Sequence, residues 1–252
     1  MHTLPLPIPF WKMNGAGNDF IIIDHRQPLI PRDRMAEFAR LICRRKFSVG
    51  ADGLFLIEPS ARADFSWRFF NADGSEAEMC GNGARCVARF AYMQGIAAAR
   101  MRFETLAGIV EASVADTQAT IRMTQPHSFR FDRQIEIAGQ LLMVHSVDTG
   151  VPHAVLFVDD IDSIDVVGLG RQIRHHPDFA PAGTNVNFIG QQEEGFRIRT
   201  YERGVEDETL ACGTGAAAGA LIAAAKGFAV SPVAMVTSGG VSLTVQLSGH
   251  QD

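Results

Sequence analysis

The sequence predicts an α/β protein of the α+β type with two pseudo-symmetric domains. Landmarks in the first half recur in the second half at a nearly constant offset of about 130 residues, which indicates an internal duplication. Short runs rich in β-branched and aromatic residues lie between turn-forming residues, as β-strands do. Two Cys-Gly-X-Gly segments each open a stretch whose apolar residues have helical spacing.

The landmarks of the duplication occur in the same order in both halves. Gly15-Ala-Gly-Asn18 precedes an apolar run, as Gly150-Val-Pro-His153 does, so Asn18 and His153 are equivalent by sequence. The other matched segments are Gly50-Ala-Asp-Gly53 with Gly183-Thr-Asn-Val186, Arg68-Phe-Phe-Asn71 with Arg199-Thr-Tyr-Glu202, and Cys80-Gly-Asn-Gly83 with Cys212-Gly-Thr-Gly215. We therefore expect an N-terminal domain, 1–117, with Cys80 and a C-terminal domain, 118–252, with Cys212.

The individual elements follow from hydrophobic periodicity and turn residues. We expect helices at 34–44 and after each Cys-Gly-X-Gly segment. The helix after Cys212, predicted at 216–226, is apolar on all sides and should be buried within its own sheet. The predicted strands are 20–23, 54–57, 67–70, 109–114, 121–124, 155–158, 196–201 and 241–247.

Composition excludes several classes of function. A formal net charge of −5 argues against nucleic-acid binding, which requires a basic face. The first residues lack a signal-peptide pattern, and the longest apolar run, 216–225, is shorter than the roughly 20 residues that span a bilayer, so a cytoplasmic protein without membrane attachment is expected. Only three lysines, Lys12, Lys46 and Lys226, are available for a Schiff base with pyridoxal phosphate.

Of the four cysteines, two have positions that suggest chemistry. Cys80 and Cys212 each precede a glycine-rich turn at a predicted helix start, where unpaired amides and the helix dipole lower a thiol pKa and attract anions. One thiolate and one thiol would form a proton-transfer pair. Cys43 and Cys86 lie among apolar residues and should pack in the core. The sequence has no CxxC pair, and His175-His176 stands in a predicted loop, so neither thiol-disulfide exchange nor a metal site is favoured.

Three motifs make the sequence similar to a known family. Phe70-Asn-Ala-Asp-Gly-Ser-Glu-Ala-Glu-Met-Cys80-Gly-Asn-Gly-Ala-Arg-Cys86 and Tyr201-Glu-Arg-Gly-Val-Glu-Asp-Glu-Thr-Leu-Ala-Cys212-Gly-Thr-Gly resemble the two signatures of the diaminopimelate epimerase family. Lys12-Met-Asn-Gly-Ala-Gly-Asn-Asp-Phe20 resembles its N-terminal motif. The related proline racemases also have paired cysteines, but they typically carry histidine where Asn82 stands.

The resemblance implies a fold, an activity and a set of site residues. Each domain would be a rolled, mainly antiparallel sheet around a central helix, with the active site between the domains. The activity would be cofactor-independent, two-base epimerisation of LL- and meso-diaminopimelate, in lysine and peptidoglycan precursor biosynthesis, and a homodimer would be compatible with it. Cys80 and Cys212 would be catalytic, with His153 and Glu202 modulating their pKa values. The implied substrate contacts are Asn18, Asn71, Gly81, Asn82, Asn185, Glu202, Arg203, Gly213 and Thr214.

Alternatives to this interpretation stay open at the level of sequence. Asn18 and Asn71 could cap turns, and His153 could be structural. Val151 stands where some family members have a substrate-contacting asparagine, so one polar contact would be absent or replaced. The chain ends at 249–252 where members usually continue, so domain docking, stability and activity could each differ from those of the family. A racemase or isomerase of the same fold acting on another amino acid, such as proline or histidine, and a noncatalytic amino-acid-binding protein are the other candidates.

Overall fold

The computed structural model describes residues 7–248 and divides into two units. The first unit runs to Arg122 and the second begins at Met123. The division lies later than the expected boundary at 117 because Gln118–Ile121 forms a strand that pairs antiparallel with Gly108–Ala115 of the first sheet. Two expectations about the ends of the chain, the absence of a signal peptide and the short tail, concern residues 1–6 and 249–252, which lie outside the described residues.

The first unit is one sheet with two helices. Its strands lie in the order β1-β2-β3-β4-β6-β7-β8, with β5 beside β4; β2 and β3 are parallel, as are β4 and β6, and the other neighbours are antiparallel. The elements are β1 Trp11–Gly15, β2 Asn18–Asp24, α1 Met35–Ile42, β3 Gly53–Glu58, β4 Phe65–Asn71, β5 Glu76–Ala77, α2 Gly81–Met93, β6 Arg100–Thr105, β7 Gly108–Ala115 and β8 Gln118–Ile121, with a 3₁₀ turn at Arg32–Arg34.

Alternation along the strands determines which helix each face covers. On β2, Phe20 and Ile22 pack with Val87 of α2, whereas Ile21 and Ile23 pack in a separate cluster with α1. Helix α2 contacts strands from both ends of the sheet, β1 and β8, because the sheet curls around it. The first turn of α2 therefore lies against the inner face of the curled sheet.

The second unit repeats this plan. Its strands lie in the order β9-β10-β11-β12-β13-β15-β16, with β14 beside β13; β11 and β12 are parallel, as are β13 and β15, and the other neighbours are antiparallel. The elements are β9 His127–Ile137, β10 Gln140–Asp148, β11 Pro152–Phe157, α3 Val166–Arg174, β12 Asn185–Gln191, β13 Phe196–Glu202, β14 Asp207–Thr209, α4 Gly213–Ala225, β15 Val233–Thr237 and β16 Ser242–Val245, with a 3₁₀ turn at Pro177–Phe179.

Helix α4 is the central helix of the second unit, as its uniform apolar composition predicts. Ile222 and the alanines at 216, 218, 220 and 223 are buried against residues of the surrounding strands, including Val155 and Ile198. Helix α3 covers the other face of the sheet, where Ile173 packs with Phe188. The fold class is therefore confirmed: two curled sheets, each around a helix that begins after a Cys-Gly-X-Gly cysteine.

Most predicted elements are present, with one displaced and several missed. The strand predicted at 121–124 is wrong in position, because β8 ends at Ile121 and residues 122–124 are not part of a strand. The prediction at 34–44 corresponds to α1, which is shorter. The elements without a prediction are α3, β1, β5, β6, β9, β10, β12, β14 and β15. Within residues 7–248, no helix is both long and apolar enough to cross a membrane.

Candidate active site

Cys80 is the N-cap residue of α2. Its backbone is extended (φ −147°, ψ 115°), and its Sγ accepts a hydrogen bond from the Gly83 amide at 3.4 Å. The first amides of a helix have no acceptor within the helix, so the sulfur supplies one. The predicted position of this cysteine at a helix start is confirmed.

A chain of side-chain amides connects the first turn of α2 to the start of β2. Asn82 Nδ2 donates to Asn18 Oδ1 at 2.8 Å, and Asn18 Nδ2 donates to Asp52 Oδ2 at 3.1 Å. At the other end, Arg85 Nη2 donates to Asn82 Oδ1 at 2.6 Å. The structure thus brings together two predicted site residues, Asn18 and Asn82, and orients both amides. Sequence analysis missed Asp52 and Arg85 as their partners, although Asp52 lies in the repeated segment Gly50-Ala-Asp-Gly53 and Arg85 in the motif that ends at Cys86.

The remaining predicted residues of the first unit lie at the ends of elements. Asn71 ends β4 opposite Gly53, and its Nδ2 donates to Ser75 Oγ at 3.0 Å, so its side chain caps the following turn. It is exposed. Gly81 begins α2, and its carbonyl accepts a hydrogen bond from Arg85 at 3.4 Å. Substrate contacts of Asn71 and Gly81 stay predictions.

Cys212 occupies the same position at the start of α4. Its backbone is extended (φ −121°, ψ 109°), its Sγ accepts from the Gly215 amide at 3.4 Å, and Thr214 Oγ1 lies 3.3 Å from the sulfur. Burial and, after it, the Glu202 carboxylate raise the pKa of Cys212 from 9.0 to about 11, against the opposing effect of the hydrogen bonds from Thr214 and Gly215. The expected lowering of this thiol pKa is therefore wrong for Cys212, because desolvation outweighs the helix start.

His153 and Glu202 are both removed from solvent, to different degrees. His153 is fully buried, and burial, followed by the charge of Arg203, lowers its pKa to about 3. Glu202, at the end of β13, is partly buried, and burial raises its pKa while the Thr209 hydroxyl acts in the opposite direction. Both shifts favour the neutral form of the side chain.

Asn185 links the other predicted contacts of the second unit. Its Oδ1 accepts from the Arg203 backbone amide at 2.9 Å, and its Nδ2 donates to the Pro152 carbonyl at 3.1 Å. The Arg203 guanidinium donates to the Ala182 carbonyl at 3.2 Å. Gly213 and Thr214 form the first turn of α4, and Thr149 Oγ1 donates to the Thr214 carbonyl at 3.2 Å.

Strand register shows that the sequence alignment of the two halves is wrong near His153. Leu54 pairs with Phe70 and Ile21, whereas Val186 pairs with Tyr201 and Ala154. Phe70 and Tyr201 immediately precede the matched Asn71 and Glu202, so Ile21 corresponds to Ala154. His153 is consequently the counterpart of Phe20, two residues beyond Asn18.

Cys43 and Cys86 lie in the hydrophobic core. Cys43 and Cys86 are 3% and 4% exposed, which confirms their core packing, and burial raises both pKa values to about 11. Among the described residues, no group of three or more His, Cys, Asp or Glu side chains is arranged to hold a metal ion.

The two-unit fold resembles that of a solved epimerase structure. The chain matches a hydroxyproline epimerase from Agrobacterium vitis, solved with bound trans-4-hydroxy-L-proline, with a TM-score of 0.65 over 95% of this chain and 84% of that one. Sequence identity is 20%, so this match establishes the fold alone.

Sequence comparison identifies the family within that fold. The family model for diaminopimelate epimerase matches residues 10–129 and 145–251. A diaminopimelate epimerase of Hydrogenobaculum sp. is 47% identical over 95% of this chain and 91% of its own length. One from Aquifex aeolicus is 44% identical over 95% and 90%, respectively. The chain belongs to the diaminopimelate epimerase family.

Proposed function

We propose that this protein interconverts LL- and meso-diaminopimelate without a cofactor, by proton transfer at the α-carbon. The observation that carries the proposal is the pair of cysteines at equivalent N-cap positions of α2 and α4 in a member of this family. Inversion of a stereocentre needs a base on one face and an acid on the other, and two related halves each offer one thiol.

In the proposed reaction, one cysteine thiolate removes the α-proton and the other cysteine thiol donates its proton to the opposite face. The S–H bond formed on one side balances the S–H bond broken on the other, so the reaction needs no oxidant or reductant. The protonation states belong to the pair, and the roles exchange when the reaction runs backwards. The raised pKa of Cys212 supports a thiol at that position before substrate binds.

The helix starts supply the electrostatic part of the proposal. The substrate α-carboxylate would bind the amides of the first turns, at Gly81-Asn82 and Gly213-Thr214, and these donors would stabilise the negative charge that develops during proton removal. Asn18 is suited to orient substrate because its own amide is held by Asp52 and Asn82. The proposed contacts of Asn71, Asn185, Glu202 and Arg203 would fix the remaining polar groups.

Cysteine substitutions test the proposal. Cys80→Ala and Cys212→Ala should each abolish epimerisation, whereas Cys43→Ala and Cys86→Ala, which replace buried core thiols, should retain it. Purified variants would be incubated with LL-diaminopimelate, and the stereoisomers separated by chiral chromatography. Wild-type turnover in either of the first two variants would exclude a two-thiol mechanism.

A substrate panel distinguishes the remaining candidates. LL-diaminopimelate, proline and histidine would be compared in deuterated water, with exchange at the α-carbon followed by NMR. Turnover of proline or histidine alone would indicate another racemase, and binding without exchange would indicate a noncatalytic homologue. Val151 makes this comparison informative, because a polar substrate contact of some family members is lost or replaced there.

The cellular setting and the assembly complete the proposal. A mechanism that needs one thiolate and one thiol requires reduced cysteines, which the cytoplasm maintains. We therefore place the protein in the cytoplasm, and localisation of a tagged chain would check this. A homodimer is the assembly we expect, and sedimentation equilibrium would measure it.

A further inference from the structure

A polar cluster in the second unit replaces an aromatic cluster in the first. His153, Asn187 and Thr200 lie side by side below the start of α4 and are 0%, 0% and 3% exposed. By strand register, their counterparts below α2 are Phe20, Phe55 and Phe69, whose rings are in contact.

The helix glycines show that the two clusters occupy the same place. A Cβ atom added to Gly83 would lie 2.2 Å from Phe55 Cζ, and one added to Gly215 would lie 2.3 Å from Asn187 Oδ1. Apolar side chains therefore suffice to support the first helical turn in the first unit. Burying polar groups is unfavourable unless they are hydrogen bonded, so packing alone does not account for the polar set in the second unit.

Two anchors determine which end of the Asn187 amide faces the imidazole. Asn187 Oδ1 accepts from Thr200 Oγ1 at 3.0 Å, and Nδ2 donates to the Ala154 carbonyl at 2.9 Å. Reversing the amide would place Oδ1 against that carbonyl, so two acceptors would meet. The second hydrogen of Nδ2 is directed at His153 Nδ1, 3.0 Å away.

This contact determines the tautomer of His153. Nδ1 must accept the hydrogen bond from Asn187, so the proton of the neutral ring is on Nε2. Burial and the nearby charge of Arg203 lower the pKa of His153 to about 3, and the ring is therefore neutral across the physiological range. Nε2 is buried and has no hydrogen-bond partner among the described residues.

We propose that Asn187 is a positioning residue that holds His153 as the neutral Nε2–H tautomer, and that this N–H group donates a hydrogen bond to an anion during epimerisation. His153 would then be neither a cation nor a base. The catalytic part of this inference rests on the proposed function, whereas the tautomer itself does not. The acceptor is an anionic oxygen of the substrate or the Cys212 thiolate.

NMR of protein labelled with ¹⁵N-histidine tests the tautomer directly. The His153 signals are assigned by their loss in His153→Gln, and their nitrogen shifts distinguish a protonated from an unprotonated ring nitrogen. Wild-type protein should show a neutral ring with the proton on Nε2 from pH 5 to pH 9. A proton on Nδ1, or an imidazolium ring at neutral pH, would overturn the inference.

Two substitutions at Asn187 connect the tautomer with turnover. The carboxylate introduced by Asn187→Asp can only accept a hydrogen bond, so Nδ1 of His153 must carry a proton. We expect the protonation state of His153 seen by NMR to change and a new ionisation to enter the pH profile of kcat. Asn187→Leu removes the donor and should let both neutral tautomers appear. In Asn187→Asp, kcat should fall by roughly 100-fold or more above that ionisation, where Nε2 carries no proton, as for the loss of one preorganised donor. In Asn187→Leu the Nε2–H tautomer stays partly populated, so kcat should fall only in proportion to the population of that tautomer that is lost.

A matched control separates positioning from packing. Thr237, like Thr200 of the polar cluster, is a threonine of the second unit that is 3% exposed. Thr237→Val therefore changes a buried polar side chain outside the cluster, and it should leave the His153 spectrum and kcat unchanged. Wild-type kcat in Asn187→Asp above its new ionisation would refute the catalytic part. Wild-type protein that shows the Nε2–H tautomer but does not epimerise diaminopimelate would instead refute the proposed function, while the tautomer assignment would stand.

If the protein is active, two NMR experiments on the His153 signals distinguish the two possible acceptors. If Nε2–H donates to the substrate, adding a nonreactive diaminopimelate analogue should shift the His153 signals in wild type and in Cys212→Ala alike. If it donates to a thiolate, the shift should appear when the thiols are titrated to high pH and be absent in Cys212→Ala. Unchanged His153 signals in both experiments would overturn the donor role.

Discussion

The alkylation rate of Cys212 measures the electrostatics of the second helix start. With a pKa of about 11, about 0.1% of this thiol is ionised at pH 8, against about 9% at the ordinary value of 9.0. The thiolate fraction is thus roughly 100-fold lower, and the greater nucleophilicity of a more basic thiolate recovers about tenfold. We expect folded protein to react with iodoacetamide at Cys212 about tenfold more slowly at pH 8 than the same cysteine in urea.

Glu202→Gln is the perturbation that tests the cause. The Glu202 carboxylate raises the pKa of Cys212, second in size to burial, so its removal should lower that pKa and speed alkylation. Glu194→Gln provides a control with the same change of charge, because Glu194 is exposed beyond the opposite end of β13. The reaction would be quenched at intervals from pH 7 to pH 12, and the Cys212 peptide would be quantified by mass spectrometry.

The sign of the pH dependence follows from the raised pKa. The pKa of Cys212 in the folded protein is about 11, above the ordinary value of 9.0, so below pH 9 the sulfur is a thiol in both the folded and the unfolded chain. As the pH rises from 9 towards 11, the unfolded chain ionises first, and the folded state loses stability relative to it. The wild-type alkylation midpoint should therefore lie above 9, and the Glu202→Gln midpoint should lie below the wild-type one. A wild-type midpoint at or below 9 would refute the dominance of burial over the helix start.

Two further predictions concern stability, measured by urea unfolding. Gly83→Ala places a Cβ atom 2.2 Å from the Phe55 ring and should cost about 1–3 kcal/mol despite the better helix propensity of alanine, whereas Gly81→Ala, with its nearest atom at 3.8 Å, should not destabilise; equal effects would contradict the close approach. Thr200→Val leaves buried Asn187 Oδ1 without its donor and should cost about 1–3 kcal/mol, while Thr237→Val removes a hydroxyl without a partner among the described residues and should be neutral or stabilising.

The parts of the fold with strong local signals could be predicted from the sequence. Both central helices begin at cysteines followed by glycine-rich turns, and the structure confirms both starts. Helix α3 contains Gly168 and Gly170, which weaken its helix propensity, so the sequence did not predict it. The helix is stabilised by tertiary packing, in which Ile173 is buried in the core. Strand β9 is mostly exposed, and its apolar residues are too few to identify a strand by burial.

Features that depend on folding could not be read from the sequence. The helix dipole at Cys212 is visible in the motif, but the burial of its sulfur and the approach of Glu202 arise only when β13 and α4 pack together. Likewise, matching Asn18 with His153 by position ignored a register shift that strand pairing corrects. The partners of Asn18 and His153, which are Asp52 and Asn187, become recognisable only once the strands are adjacent.

Isotope incorporation tests the central claim, that two different thiols exchange protons with one α-carbon. LL-diaminopimelate would be incubated with the protein in deuterated water, and the α-positions of product and remaining substrate analysed by NMR and mass spectrometry at low conversion. A two-base reaction predicts that the earliest meso product is almost fully deuterated at the inverted carbon, while the remaining substrate gains label more slowly. Early product that retains most of its original α-hydrogen, under conditions where thiol exchange with solvent is slow, would contradict the account and indicate a single base.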